Sequence, residues 1–373
     1  MAGIYIHIPF CKQKCTYCDF HFSTSFEKHR NQMVDAIISE LKERVNYLEG
    51  QPVQTIYFGG GTPSLLTKKE IKRIINTIYQ EYTVQEEIEF TLEANPDDIN
   101  KAQLESWKKS GISRLSIGLQ SFHQEDLDWM NRAHTADESE SAVILAKEYG
   151  FSLTVDLIYG IPNRTTADWL YNINKLVELQ PEHISAYCLT VEKRTALHQL
   201  IKKGELPEVG EDEQSEQFML LVNTLKNAGY QQYEISNFAK DEQYSVHNSN
   251  YWKGVHYLGV GPSAHSFNGT SRRWNVSNNP RYIKGVSGDQ KYYEKEELSA
   301  KDQFNELLLT GLRTKWGVSL DDLFSKFQPT PSFHKQLELF KQHQLISEEK
   351  DIIMLTEKGK LQADHIASQL FTE

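Results

Sequence analysis

The chain has 373 residues, of which 39% are hydrophobic and 24% charged, and its 51 acidic against 40 basic side chains give a net charge of −11. That length supports a large core and more than one domain, and the composition is that of a globular protein rather than a disordered one. An acidic chain without a local basic patch is a poor partner for nucleic acid or an anionic membrane, and no apolar run approaches the ~20 residues of a membrane span.

Residues 3–8 (Gly-Ile-Tyr-Ile-His-Ile) alternate and are β-branched, which predicts a strand. The strand delivers Cys11-Lys-Gln-Lys-Cys15-Thr-Tyr17-Cys18, three of the four cysteines within eight residues. Thiolates at this spacing fold into one short loop and converge on a metal. Zinc would need a fourth ligand, His7 or His21. An iron–sulfur cube takes three thiolates and leaves one iron open. The absence of a second cysteine pair at zinc-finger spacing, and the crowding of Phe10, Tyr17, Phe20 and Phe22 around the loop, favour the cube. Thiols kept as ligands imply a reducing, cytoplasmic compartment, and the N-terminus lacks the basic and apolar stretches of a secretory signal. Cys188 stands alone in an apolar stretch and reads as core.

Apolar positions at helical spacing (Met33, Ile37, Ile38, Leu41, Val45, Leu48) predict a helix over 28–48. Strand-like runs follow at Thr55–Phe58, Ile88–Leu92, Arg114–Leu119, Leu153–Ile158 and His183–Leu189, with helical segments at 68–81, 101–109, 124–128, 137–149 and 166–179. Six strands separated by helices predict parallel βαβ units with right-handed crossovers. No G-x-G-x-x-G opens a helix, which counts against a dinucleotide fold. The expected fold class is α/β, a partial six-unit (β/α) barrel with its site at the C-terminal strand ends.

The unusual residues fall at those ends: Gly59-Gly60-Gly61-Thr62-Pro63 after the second strand, Glu93 and Asn95-Pro96 after the third, Gln120 at the fourth, and Asp156 with Tyr159-Gly160 at the fifth. Arg132 lies just beyond the short segment after the fourth. A glycine triplet before proline is, taken alone, a tight turn. Its recurrence on one rim with a glutamate, a glutamine and an arginine points to a site.

Residues 1–236 read as the barrel with its following helices, and the acidic run Glu208–Glu216 as a solvated helix start. Residues 237–296 read as a connecting segment, with His247-Asn-Ser-Asn-Tyr251-Trp252 and a glycine-kinked stretch from Tyr257 to Phe267. A lone histidine such as His247 is as often structural as a ligand. Residues 297–373 read as a small helical domain with three helices, a hairpin and a last helix over 357–370, a winged-helix-like order. Its residues 301–373 hold nine Lys/Arg against eleven Asp/Glu, the wrong sign for a groove-reading module.

Tyr5-Ile-His-Ile-Pro-Phe-Cys11-x3-Cys15-x-Tyr17-Cys18, Phe58-Gly-Gly-Gly-Thr-Pro-Ser64, Glu93-x-Asn-Pro96, Gly118-x-Gln120-Ser-Phe and Asp156-Leu-Ile-Tyr-Gly-Ile-Pro162 together resemble the radical S-adenosylmethionine (SAM) family of oxygen-independent coproporphyrinogen oxidases and their relatives. The resemblance implies a 4Fe–4S cluster on Cys11, Cys15 and Cys18, with SAM closing the open iron. It implies cofactor contacts from Tyr5, Tyr17, Gly60, Gly61, Thr62, Glu93, Gln120, Arg132 and Asp156. Glycines admit close backbone approach, Glu93 can pair with an ammonium or a ribose hydroxyl, and Arg132 can fork onto a carboxylate.

Two branches of the family differ in ways this chain resolves. The oxidase branch carries a further cysteine where Phe20 stands, and a longer segment before the first strand. The heme-chaperone branch has phenylalanine there and an H-N-x-x-Y-W motif, which residues 247–252 match at every fixed position. The resemblance to that branch implies heme as cargo, His247 as ligand to the heme iron, and Tyr251 and Trp252 stacked on the porphyrin. It further implies heme-acceptor proteins such as respiratory-chain components, a peripheral membrane contact made through the acceptor, a cluster-dependent homodimer, and no coproporphyrinogen oxidase activity. The alternative is the oxidase itself, converting porphyrinogen propionates to vinyl groups.

Overall fold

The computed structural model describes residues 1–288 and 290–372. Six strands lie side by side in chain order, each parallel to the next: β1 (Ala2–Ile8), β2 (Val53–Gly60), β3 (Val84–Ala94), β4 (Arg114–Gln120), β5 (Ser152–Tyr159) and β6 (His183–Cys188). The crossovers carry α1 (Arg30–Glu43), α2 (Lys68–Glu81), α3 (Lys101–Lys109), α4 (Gln124–Trp129), α5 (Ala136–Glu148) and α6 (Thr166–Leu179). The α/β barrel expected from the periodicity is therefore present. The first helix is shorter than the expected 28–48, with 3-10 turns at Glu27–His29 and Val45–Leu48. Helices α2, α5 and α6 open on capping boxes from Thr67 and Glu70, Thr135 and Glu138, and Thr165 and Asp168, which satisfy amides that a helix start leaves unpaired.

Because successive side chains of a strand point to opposite faces, β1 sorts its residues cleanly. Ala2, Ile4, Ile6 and Ile8 are fully buried in the apolar core shared with the helices. Gly3, Tyr5 and His7 face the other way, where Thr55, Tyr57, Glu93, Thr91, Ser116, Asp156 and Ser185 of the neighbouring strands also gather. The barrel interior is thus polar, unlike the aliphatic filling of a closed eight-stranded barrel.

The sheet continues past both edges to twelve strands. Beyond β6, after α7 (Ala196–Lys202) and α8 (Glu211–Asn227), come the antiparallel β7 (Gln231–Glu234) and β8 (Asn237–Ala239). Beyond β1 lie β9 (His256–Val260), parallel to it, then β10 (His265–Phe267), β11 (Ser271–Asn275) and β12 (Tyr293–Glu297), antiparallel. Residues 237–296, read from sequence as a connecting segment, supply most of this extension. The short helix α9 (Val246–Trp252) crosses beneath β1–β3, and α10 (Asn279–Val286) packs on α1.

The chain's last part has a core of its own, built on Phe304, Leu308, Leu312, Phe333, Leu337, Ile353 and Ile366. It comprises α11 (Ala300–Leu312), β13 (Val318–Ser319), α12 (Leu320–Lys326), α13 (Pro331–Gln342), the hairpin β14 (Ile346–Glu349) and β15 (Ile352–Leu355), α14 (Glu357–Lys360) and α15 (Ala363–Gln369). The single last helix expected over 357–370 is two, separated at Leu361–Gln362, after Gly359 whose backbone lies hard against the Leu345 carbonyl. Among the described residues no helix is long and apolar enough to cross a membrane.

A cysteine loop and a polar cavity at the strand ends

The cysteine loop hangs over the C-terminal end of β1 and is held from both sides. Cys11 N–H donates to the Ser23 carbonyl (3.1 Å), and Thr16 donates through its amide to Met130 O (3.0 Å) and through its hydroxyl to Trp129 O (2.7 Å). Asn131 Nδ2 donates to Lys14 O (2.8 Å) and Gln13 Nε2 to Asn131 O (2.8 Å), while Lys12 pairs with Asp97 and Asp98. The stretch after α4 is therefore the loop's clamp. The glycine triplet serves the same end: a Cβ on Gly61 would sit 2.6 Å from Phe10 O, and Gly61 N–H donates to Ile8 O (2.9 Å). Gly60 takes φ +111, a conformation open chiefly to glycine, with His7 against it.

Cys11, Cys15 and Cys18 are all free thiols. The Thr62 hydroxyl reaches Cys11 Sγ (3.6 Å) and Arg132 Nη1 reaches Cys15 Sγ (3.5 Å). Donors on sulfur favour the thiolate that a metal requires. Burial pushes Cys11 and Cys18 up to about 11, so without a metal both stay protonated at neutral pH. Among the described residues no three His, Cys, Asp or Glu side chains converge at single-ion distance. The two histidines that might complete a zinc site are engaged elsewhere: His7 Nε2 faces the His21 carbonyl (2.9 Å) and Nδ1 the Tyr5 hydroxyl (3.3 Å), and His21 Nε2 faces Asn279 Oδ1 (2.7 Å). Tetrahedral zinc does not fit this donor set. A cluster that takes three thiolates asks for no fourth protein ligand.

Arg132 Nη2 donates to Asn95 Oδ1 and to Gly118 O, both at 2.8 Å, and its buried Nε has no partner among the described residues. Gln120 sits at a bulge between β4 and β5 with φ +71, its amide lying over Gly118. Strained non-glycine backbone of this kind gathers at ligand sites. Glu93 accepts from the Tyr57 hydroxyl (2.9 Å) and from Gly60 N–H (3.0 Å). Burial raises its carboxyl to about 7. Asp156, beside Ser116 and Ser185, is raised to about 7 by burial and by the charge of Glu93. Tyr17 packs with Met130, Ile158 and Leu189, and so braces the loop rather than lining the open space.

A cavity of about 1260 Å³ opens above these groups, larger than the roughly 300–1,000 Å³ usual for one drug-sized ligand. Of the residues expected from sequence, Tyr5, Cys18, Gly60 and Glu93 line it, along with Tyr251. Cys11, Cys15, Thr62, Asn95 and Arg132 form a linked group at its edge.

His247 lies elsewhere. It is 2% exposed, stacked on Tyr57 at 4.9 Å, with Nδ1 on the Thr55 hydroxyl (2.8 Å) and Nε2 on the Tyr251 hydroxyl (2.9 Å). Burial lowers its pKa to about 3. Glu89 of β3 accepts from Val246 and His247 N–H (3.0 and 2.8 Å), pinning α9 across the barrel floor. In this arrangement neither ring nitrogen is free to meet an iron, which departs from the sequence expectation. Trp252 also points away from the cavity, with Arg313 over its ring. His265, in the glycine-kinked stretch already singled out from sequence, lines the cavity, and so do Lys193 and Arg194, which sequence reasoning missed because neither sits in a recognisable motif.

Residues 5–176 match the model of the radical SAM superfamily and residues 298–361 that of the HemN C-terminal domain. The chain is 33% identical over 386 residues to a protein named heme chaperone HemW from Bacillus subtilis (strain 168), covering 98% of each. It is 32% identical over 383 residues to another of that name from Haemophilus influenzae, covering 100% of this chain and 98% of the relative. Among solved structures, coproporphyrinogen III oxidase (HemN) from Escherichia coli superposes with a TM-score of 0.86 at 23% identity, covering 100% of this chain and 90% of that one.

Proposed function

The chain belongs to the radical SAM superfamily, in the branch of the proteins named heme chaperone HemW, and from that membership we propose that it binds heme and delivers it to acceptor proteins. The near full-length identity to chains of that name carries the reading. Phe20 in place of the oxidase branch's extra cysteine supports it, and the cavity has room for a ligand larger than SAM.

The family implies a 4Fe–4S cluster and SAM, and the donor set described above fits both. Cys11, Cys15 and Cys18 would hold three irons, leaving the fourth to the amino and carboxylate groups of SAM. Such a cluster, when reduced, supplies one electron to cleave SAM to a carbon radical. Around it Tyr5, Gly60, Gly61, Thr62 and Glu93 would receive SAM, with Arg132 against Cys15 and Gln120 and Asp156 on the neighbouring strand ends. Arg132 and Thr62 donate to cysteine sulfur and hold the loop open, and Glu93, protonated or not near neutral pH, can give or take one hydrogen bond more. Acceptors of the respiratory chain are the expected destination of the cargo.

Three measurements test the proposal. Hemin added to the cluster-reconstituted protein should bind at a fixed stoichiometry with a shifted Soret band and then pass to an apo-acceptor. Anaerobic incubation with coproporphyrinogen, SAM and reductant should give no protoporphyrinogen; appearance of that product would replace this reading with the oxidase. Changing Cys15→Ser should abolish the cluster's visible absorbance and most of the bound iron.

A further inference from the structure

Resting on the heme-binding reading above, we propose that His265, at the start of β10, is the side chain that ligates the heme iron, with the porphyrin carboxylates turned toward Lys14, Lys193 and Arg194. The cavity wall carries three histidines, His7, His21 and His265. His7 has both ring nitrogens within hydrogen-bond reach of other groups, and His21 has one. His265 has neither engaged among the described residues, and it is open to the cavity. Its ring lies beside Trp274, near parallel at 6.2 Å and 21°, which favours one orientation of the imidazole. Burial and the neighbouring Arg272 lower its pKa, which keeps the imidazole neutral, the form that binds iron.

The turn that brings His265 to the rim is built for close approach. Gly259 of β9 has the His265 carbonyl where a Cβ would stand, and the Ser266 hydroxyl meets Gly259 N–H (2.9 Å). The cations at the mouth complete the case. In a chain of net charge −11, Lys14, Lys193 and Arg194 line the cavity, and none has a carboxylate partner among the described residues. Three cations against one exposed-side carboxylate, Asp19, on a wall that also carries Phe20, 70% exposed, Phe22 and Tyr257, suit a flat macrocycle bearing carboxylates.

The test is hemin titration of the full chain, wild type against His265→Ala and His247→Ala, read by Soret position, resonance Raman spin state and heme dissociation rate. His265→Ala should give five-coordinate or water-ligated ferric heme, release it about tenfold faster, and regain the wild-type spectrum with added imidazole. Its fold is checked by cluster content and thermal melting. A wild-type spectrum and off-rate in His265→Ala overturn the proposal, and a ligation change confined to His247→Ala reassigns the ligand while keeping the heme reading. Wild-type protein that takes up no hemin overturns that reading itself.

Discussion

Glu93 and Asp156 lie inside the barrel with carboxyls raised to about 7 from ordinary values of 4.5 and 3.8, burial being the first cause in each. A carboxyl that holds its proton more tightly when folded stabilises the fold fully below its ordinary pKa and loses that contribution as pH rises through the folded value. The cofactor-free protein should therefore lose stability between about pH 4.5 and 7 on account of this pair. Glu93→Gln removes one of the two groups and also relieves Asp156 of a neighbouring charge. Thermal melts at pH 5 and pH 8 should show the variant closing its gap to wild type, or passing it, at the higher pH. An equal difference at both values would mean that neither carboxyl carries the titration.

Residues at this scale were legible where they belong to a motif of fixed spacing. The cysteines, the glycine triplet, Glu93 and Arg132 meet around one loop as their positions at strand ends required. His247 was legible as a motif but not in its packing on Thr55, Tyr57 and Tyr251, because a sequence does not show which neighbour takes each ring nitrogen. His265 was legible only as part of the glycine-kinked stretch from Tyr257 to Phe267, since a single histidine before a short strand has no period to stand out against.

At the scale of elements, the β9–β12 extension is fastened to α1 by Glu40, which is fully buried. One oxygen meets Arg44 Nη1 (3.1 Å) and Asn275 Nδ2 (2.9 Å), and the other accepts from Gly261 N–H (2.9 Å) and the Tyr282 hydroxyl (2.7 Å). Arg44 in turn donates to Gly259 O (2.8 Å) and to the Ser266 hydroxyl (3.0 Å). Removing one partner of a buried ion pair leaves the other charge uncompensated, at a cost of about 3–5 kcal/mol. Glu40→Ala should lower the denaturation free energy by that order, and a loss below about 1 kcal/mol in chemical denaturation would show that the apolar contacts alone hold the extension. Six of the parallel strands could be read from β-branched runs between amphipathic helices. The extension could not, because its strands are three to five residues long and glycines interrupt their alternation.

Across the whole molecule, two apolar cores meet at few points. Ile235, in the turn between β7 and β8, packs against both, and Arg313 beside α11 pairs with the buried Glu234 (3.1 Å) and with Asp364 (2.7 Å). The terminal unit approaches the chain near α9, on the side opposite the cysteine loop. It also reaches the strand extension, where Glu306 of α11 pairs with Arg272 of β11 (2.6 Å). Arg313→Ala should lower the melting temperature by a few degrees, in line with about 1–2 kcal/mol, while leaving cluster absorbance and hemin affinity unchanged. A loss of hemin affinity in that variant would give the terminal unit a part in cargo binding.

The small helix carrying His247 has a reach beyond its own packing. Glu89, Thr55 and Tyr251 fix it under β1–β3, so it packs the end of the barrel opposite the cysteine loop. On the function proposed above, a heme acceptor would then dock at the mouth of the cavity, beside the cysteine loop.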